Sequence, residues 1–284
     1  MMTSTDNKTM SGTQVRVLTA LALGALGLFV IFALPRYAFV GFTALLALGL
    51  GYEWFRLSTT DLRLRWIALV IAAVLGAGLF LFLPGNWVPG VFALVVLGWA
   101  GLILGLWIHR RVAAPVRSSL VRTLLGILIL PTFWFAVVMI HRQEQGSWLL
   151  LFGILIVAVA DSLAYFAGRA WGKNKLAPAL SPGKSIEGLV GGLVGVGILA
   201  AIGAALPLFQ AVPSWQLAVW SMLVAIYSVA GDLEESRLKR EAGVKDSGRI
   251  LPGHGGLLDR LDGQLAAMPI WFLALVQMHL FVVA

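Results

Sequence analysis

A chain of 284 residues that is 60% hydrophobic and only 12% charged, with mean hydropathy +0.91, carries more apolar side chain than one soluble core could hide. Composition therefore excludes an ordinary soluble domain and predicts an all-α, polytopic integral membrane protein. In such a protein the net charge of +8 serves topology and contact with anionic lipid, not nucleic acid. The lack of cysteine excludes disulfides and thiolate metal sites.

Residues 1–14 are polar and aperiodic, and read as a disordered leader. Nine apolar stretches follow, at about 15–34, 37–55, 66–83, 88–108, 120–140, 147–168, 189–209, 215–231 and 264–283. Each is close to the length that crosses a bilayer as a helix, and the first lacks a cleavage pattern, which predicts that it is retained. All of the 21 lysines and arginines except Arg36 and Arg142 fall in the leader and in the even-numbered connections. This asymmetry puts the amino terminus in the cytoplasm and the carboxyl terminus outside. The expected organisation is an N-terminal transmembrane bundle over 15–145 and a catalytic region over 146–284. The polar connections 169–187 and 232–263 of that region face the cytoplasm, on a multi-pass protein of the inner (plasma) membrane.

The stretch 231–263, GDLEESRLKREAGVKDSGRILPGHGGLLDRLDG, is the polar centre of the chain. On a helix continuing past Gly231, Asp232, Glu235, Ser236 and Lys239 share one face. Asp232 and Ser236 can offer oxygen to one cation, whereas Glu235 and Lys239 read as an i,i+4 pair at a solvated helix end. Asp232 lies at the end of an apolar span, where a carboxylate is costly without a partner. Lys245 and Asp246 open a turn that continues into Pro252-Gly253-His254-Gly255-Gly256, whose amides could hold phosphate oxygens. A helix restarting near Leu257 would aim its first amides at the same place. Asp259 and Asp262 are i and i+3 on that helix beside Arg260, and two carboxylates so close call for a cation between them. His254 suits an exposed ligand or proton donor and equally a plain turn residue.

A second constellation lies in the sixth span, where Asp161, Tyr165 and Gly168 form one stripe. An ionisable group inside a span points to function, with an interhelical hydrogen bond as the alternative. The following connection carries Lys173, Ser181, Lys184, Ser185 and Glu187, a glycine- and serine-rich setting suited to phosphate or lipid headgroups. Gly188, Gly191, Gly192 and Gly195 predict close helix packing.

S-R-L-K-R-x4-K-D-S-G-x-x-L-P-G-H-G-G-x-x-D-R-x-D, from Ser236 to Asp262, resembles the signature of the phosphatidate cytidylyltransferases, or CDP-diacylglycerol synthases. D-S-x-A-Y-x-x-G-R from Asp161 and S-P-G-K-S-x-E-G from Ser181 agree with it. Gly183, Ser185 and Gly263 depart from the residues usual there. The resemblance covers the carboxyl-terminal half, and the first five spans add only hydrophobicity. It implies transfer of a cytidylyl group from CTP to phosphatidic acid, by a membrane enzyme that uses Mg2+, alone or with a second cation. It further implies that Asp232, Asp246, Asp259 and Asp262, with Ser236, hold the metal, and that Lys239, Arg240, Lys245 and Arg260 with the Gly255 and Gly256 amides hold phosphates. Lys173, Ser181, Lys184 and Glu187 would help receive substrate, and Asp161 with Tyr165 would line the cavity. A homodimer is also implied. The alternative is an ion-coupled membrane transporter, suggested by Asp161 and Asp232, which would require paired broken helices.

Overall fold

The computed structural model describes residues 12–109, 116–251 and 255–281. Nine α-helices run through these residues: α1 (Gly12–Ala33), α2 (Arg36–Ser58), α3 (Leu62–Phe82), α4 (Val88–Ile108), α5 (Ser119–His141), α6 (Gly146–Trp171), α7 (Ile186–Ala204), α8 (Ser214–Glu241) and α9 (Leu258–Gln277). Seven of them, α2 to α8, are long and apolar enough to cross a membrane. The protein is an all-α polytopic membrane protein. A small antiparallel hairpin interrupts it, pairing β1 (Lys175–Ala177) with β2 (Ser181–Ser185) in the register Ala177 to Ser181.

The last helix is the axis of the bundle. Every residue from Gly263 to Leu275 is buried, and α9 packs against α8, α5, α4 and α6. A helix apolar on all sides is stable only when surrounded. Its sides are filled by aromatic rings: Phe272 sits 4.5 Å from Phe92 of α4 and 5.9 Å from Phe135 of α5, centroid to centroid. Trp271 donates to the Leu149 carbonyl at 2.9 Å, in a space that Gly153 leaves open. On α7, Gly191, Gly192 and Gly195 lie so close to α6 that a Cβ at any of them would collide with Ala167, Ala160 or Leu163.

Helix α8 continues ten residues beyond the apolar stretch predicted to end at Gly231. No breaker intervenes before Gly243, which takes a left-handed φ of 70° and lets Val244 donate to the Lys239 carbonyl at 3.0 Å. The extension is not the solvated helix end read from the sequence. Glu234 and Glu235 are each 1% exposed, because α9 and the segment before α5 close over them.

Candidate active site

Two cavities adjoin at one end of the bundle. The first, of 850 Å³, is walled by the end of α8, the turn after it and the first turn of α9. Lys239, Arg240, Lys245, Arg249 and Arg260 face Asp246 and Asp259 there, with Ser236 and Ser181 on the rim. The second, of 570 Å³, lies between α6, α7, α8 and α9 and holds Asp161, Tyr165, Arg169, Lys184, Asp232 and Asp262. Ser181, Asp259 and Arg260 border both. Residues far apart in sequence, from Asp161 to Asp262, thus reach two adjoining spaces that share part of their walls.

The approach of α8 and α9 creates the second cavity. Gly231 rests against the Asp262 carbonyl, and a Cβ there would collide with it. The next residue, Asp232, therefore faces Asp262 across the gap. Asp232 also meets Lys184 of β2 at 2.6 Å and accepts from the Ser236 hydroxyl at 3.3 Å. Burial first, then the charge of Asp232, pushes the Asp262 carboxyl upward. Carboxylates placed this way favour a cation between them.

Asp259 is held differently. Its Oδ2 accepts from the Ser247 amide at 2.9 Å and from the Gly256 amide at 2.8 Å, and lies 2.9 Å from the Ser247 hydroxyl, whose one proton it shares with Glu53. Its Oδ1 meets Lys239 at 2.7 Å, and Lys239 also pairs with Glu235 at 2.6 Å. Burial alone would raise this carboxyl, but the Lys239 ammonium and the amide donors outweigh it and hold it at about 2. Asp259 therefore stays ionised and anchors the turn.

Two of the amides expected to meet phosphate are engaged inside the protein. Gly256 N–H serves Asp259, and Leu258 N–H, at the start of α9, donates to Glu53 Oε2 at 2.8 Å. What the first cavity offers an anion is therefore chiefly its five cationic side chains. Gly255, at φ 80°, pairs with Leu251 and leaves room for the Asp259 carboxylate. Lys173 and Glu187 border neither cavity: the Lys173 amide and Asn174 donate to Glu187, pinning the turn after α6 to the start of α7. His254 lies outside the described residues.

Glu53 is the contribution that sequence reasoning missed. It comes from α2, is 1% exposed, and besides Leu258 N–H it accepts from Ser247 Oγ at 3.0 Å. Gly248 and Gly256 press against its carboxylate so closely that neither could carry a side chain. One turn along α2, Arg56 donates to the Ser247 carbonyl. Arg117, before α5, likewise reaches α8, pairing with Glu234 and, at 3.0 Å, with Glu241, which Arg237 also holds. The N-terminal bundle therefore builds the site. The available signal was a lone glutamate within an apolar span.

Whether the residues suit a divalent cation is a question of donor chemistry. Among the described residues no three acidic or imidazole groups stand close enough to enclose an ion. Asp232 and Asp262 nevertheless supply two hard oxygen donors on one cavity wall, the number Mg2+ takes when water and substrate phosphate complete its shell.

Charged side chains of α6, α8, α9 and the β1–β2 hairpin thus converge, in a membrane protein, on cavities lined by both cations and carboxylates. The chain belongs to the cytidylyltransferase family, whose sequence profile matches residues 14–278. It is similar to the phosphatidate cytidylyltransferase of Haemophilus influenzae, 36% identical over 279 residues that cover 90% of this chain and 96% of that one. The corresponding protein of Pseudomonas aeruginosa is 37% identical over 90% of this chain and 94% of its own, and that of Brucella abortus 35% over 93% of each. None of these likenesses supports the transporter alternative.

Proposed function

We propose that the chain transfers a cytidylyl group from CTP to phosphatidic acid, yielding CDP-diacylglycerol and pyrophosphate. The observation that carries this reading is the adjoining pair of cavities, one rich in cations and one in carboxylates, meeting at Arg260. The triphosphate lies in the first cavity against Lys239, Arg240, Lys245 and Arg249. The lipid phosphate enters the second from the membrane. A phosphate monoester is already anionic at neutral pH, so the reaction needs charge neutralisation more than a base. Arg260 and Lys184 draw the two anions together. An oxygen of the lipid phosphate bonds to the α-phosphorus of CTP as the bond to the β-phosphate bridging oxygen breaks, and pyrophosphate leaves among the cations of the first cavity.

Mg2+, held by Asp232 and Asp262, would supply Lewis-acid neutralisation of phosphate oxygens. Lys184 keeps the Asp232 carboxylate oriented, and Asp259 fixes Lys239 and the turn. The cationic end of the bundle faces the cytoplasm of an inner-membrane protein, where nucleotide is available. Purified protein given CTP, phosphatidic acid and Mg2+ should release pyrophosphate and form CDP-diacylglycerol, with all three components required. Asp232→Asn should abolish most of that turnover. A folded wild-type sample that makes no CDP-diacylglycerol would overturn the reading.

A further inference from the structure

We infer that a third cavity, between α1, α2, α5, α6 and α9, is the seat of one acyl chain of the lipid substrate, an inference that rests on the proposed transfer to phosphatidic acid. The cavity measures 480 Å³. Arg260 is part of its wall, and the same residue borders both polar cavities. A lipid whose phosphate lies beside Arg260 therefore has an apolar slot leading directly away from the reacting group.

The walls fit a hydrocarbon chain. Among the described residues only Thr43, Arg260 and Gln264 line the slot with polar side chains, and the Thr43 hydroxyl is turned to the Phe39 carbonyl at 2.8 Å. The stretch of α1 along the slot, from Ala20 to Ile31, is about 16 Å long at helical rise, close to the thickness of one hydrocarbon leaflet at about 15 Å. Beside Ile31, at the end of this stretch, His141 and Ser147 both donate to the Ile31 carbonyl, at 3.0 and 2.8 Å.

Gln264 adds a polar feature to the same wall. It is 8% exposed, one turn beyond Arg260 on α9, and its side-chain oxygen has no hydrogen-bond partner. Rotated about its terminal bond, the amide presents N–H donors at the same position, where an acyl ester carbonyl would lie. The sequence of Arg260, Gln264 and apolar wall matches phosphate, ester and tail in order.

Gly24 and Gly27 of α1 line the slot, and a Cβ at either would meet nothing within 4 Å. Leucine at position 27 would thus fill the slot without straining the backbone. Turnover of dioleoyl and dioctanoyl phosphatidate is compared at equal mole fraction in mixed micelles, for wild type, Gly27→Leu and Gly98→Leu. Gly98 is an equally open position on the exposed face of α4, away from the slot.

Gly27→Leu should lower the ratio of long-chain to short-chain turnover about tenfold, the effect of excluding about two methylenes. Gly98→Leu should leave the ratio where it is. An unmoved ratio in Gly27→Leu overturns the assignment, while a wild type that uses neither lipid overturns the proposed transfer and this inference with it. Should Gly27→Leu not fold, phosphatidate carrying a diazirine at the acyl terminus decides the matter on wild type. Adducts on α1 and α2 support the slot, and adducts confined to the apolar groove that Phe166 of α6 and Val190, Val194 and Ile198 of α7 line, or no more than a matched phosphatidylcholine gives, overturn it.

Discussion

Glu53 and Ser247, 194 residues apart, are joined by a 3.0 Å hydrogen bond in which the Ser247 hydroxyl donates to a fully buried carboxylate. Through that bond, α2 holds both the turn after α8 and, via Leu258 N–H, the start of α9. Ser247 in turn supports Asp259 through its backbone amide, so one glutamate of the N-terminal bundle helps set the geometry at the centre of the site.

Glu53→Ala should therefore impair both folding and turnover. It leaves the buried Leu258 amide without its acceptor, at about 1–3 kcal/mol, and the Ser247 hydroxyl with Asp259 alone. The melting temperature in detergent should drop, and CDP-diacylglycerol formation should drop at least about tenfold. Glu53→Gln, which keeps one acceptor, should fall between. Wild-type melting and turnover in Glu53→Ala would mean that the turn holds its shape without α2.

Gly231→Ala tests the helix crossing. The added methyl collides with the Asp262 carbonyl, so α8 and α9 must separate at the point where Asp232 and Asp262 face each other. Overpacking of this kind costs about 1–3 kcal/mol. Turnover should fall by more than the melting temperature alone explains, because the carboxylates are displaced relative to Lys184. Gly98→Ala, in open space, should change neither quantity.

Arg117→Ala removes the partner of a carboxylate that is 1% exposed. Breaking such a pair costs about 3–5 kcal/mol, since Glu234 is left charged and buried. The variant should express poorly and melt early. Arg117→Lys should recover only part, lacking the fork that grips Glu234 and Glu241 together. Adding Glu234→Gln to Arg117→Ala should restore part of the stability, the Glu241 contacts staying lost, and a double variant no better than the single one would argue against the Glu234 pair as the cause.

Acid should weaken the turn in a defined window. Asp259 is held at about 2, whereas an unfolded aspartate titrates near about 3.9. Its folded value is depressed, so its contribution is complete above about pH 4 and is lost as pH falls from there toward 2. The melting temperature of wild type should exceed that of Asp259→Asn by a constant margin from pH 8 to 5, and the two should converge below about pH 4. Parallel curves down to the acid limit would show that Asp259 is not the titrating group.

Much of the molecule was legible because the relevant signals are local. Apolar runs of bilayer length marked the helices. The spacing of Asp259 and Asp262 placed both on the first turns of α9, and the glycines of α7 announced its close contact with α6. The two cationic connections indicated which end of the bundle is polar. Glu235 was misjudged as solvated, because the i,i+4 spacing that pairs it with Lys239 says nothing about what covers the pair.

What the sequence by itself determined is the membrane class, the helices and the identity of most charged residues at the site, since each depends on neighbours within a few turns. Only the tertiary structure decided that Glu53, Arg56 and Arg117 of the N-terminal bundle hold that site together, and that the Leu258 amide binds a carboxylate of α2. Those choices depend on which helices meet. Contacts made across more than a hundred residues leave only single polar residues in apolar or topological settings, which period and spacing cannot pair.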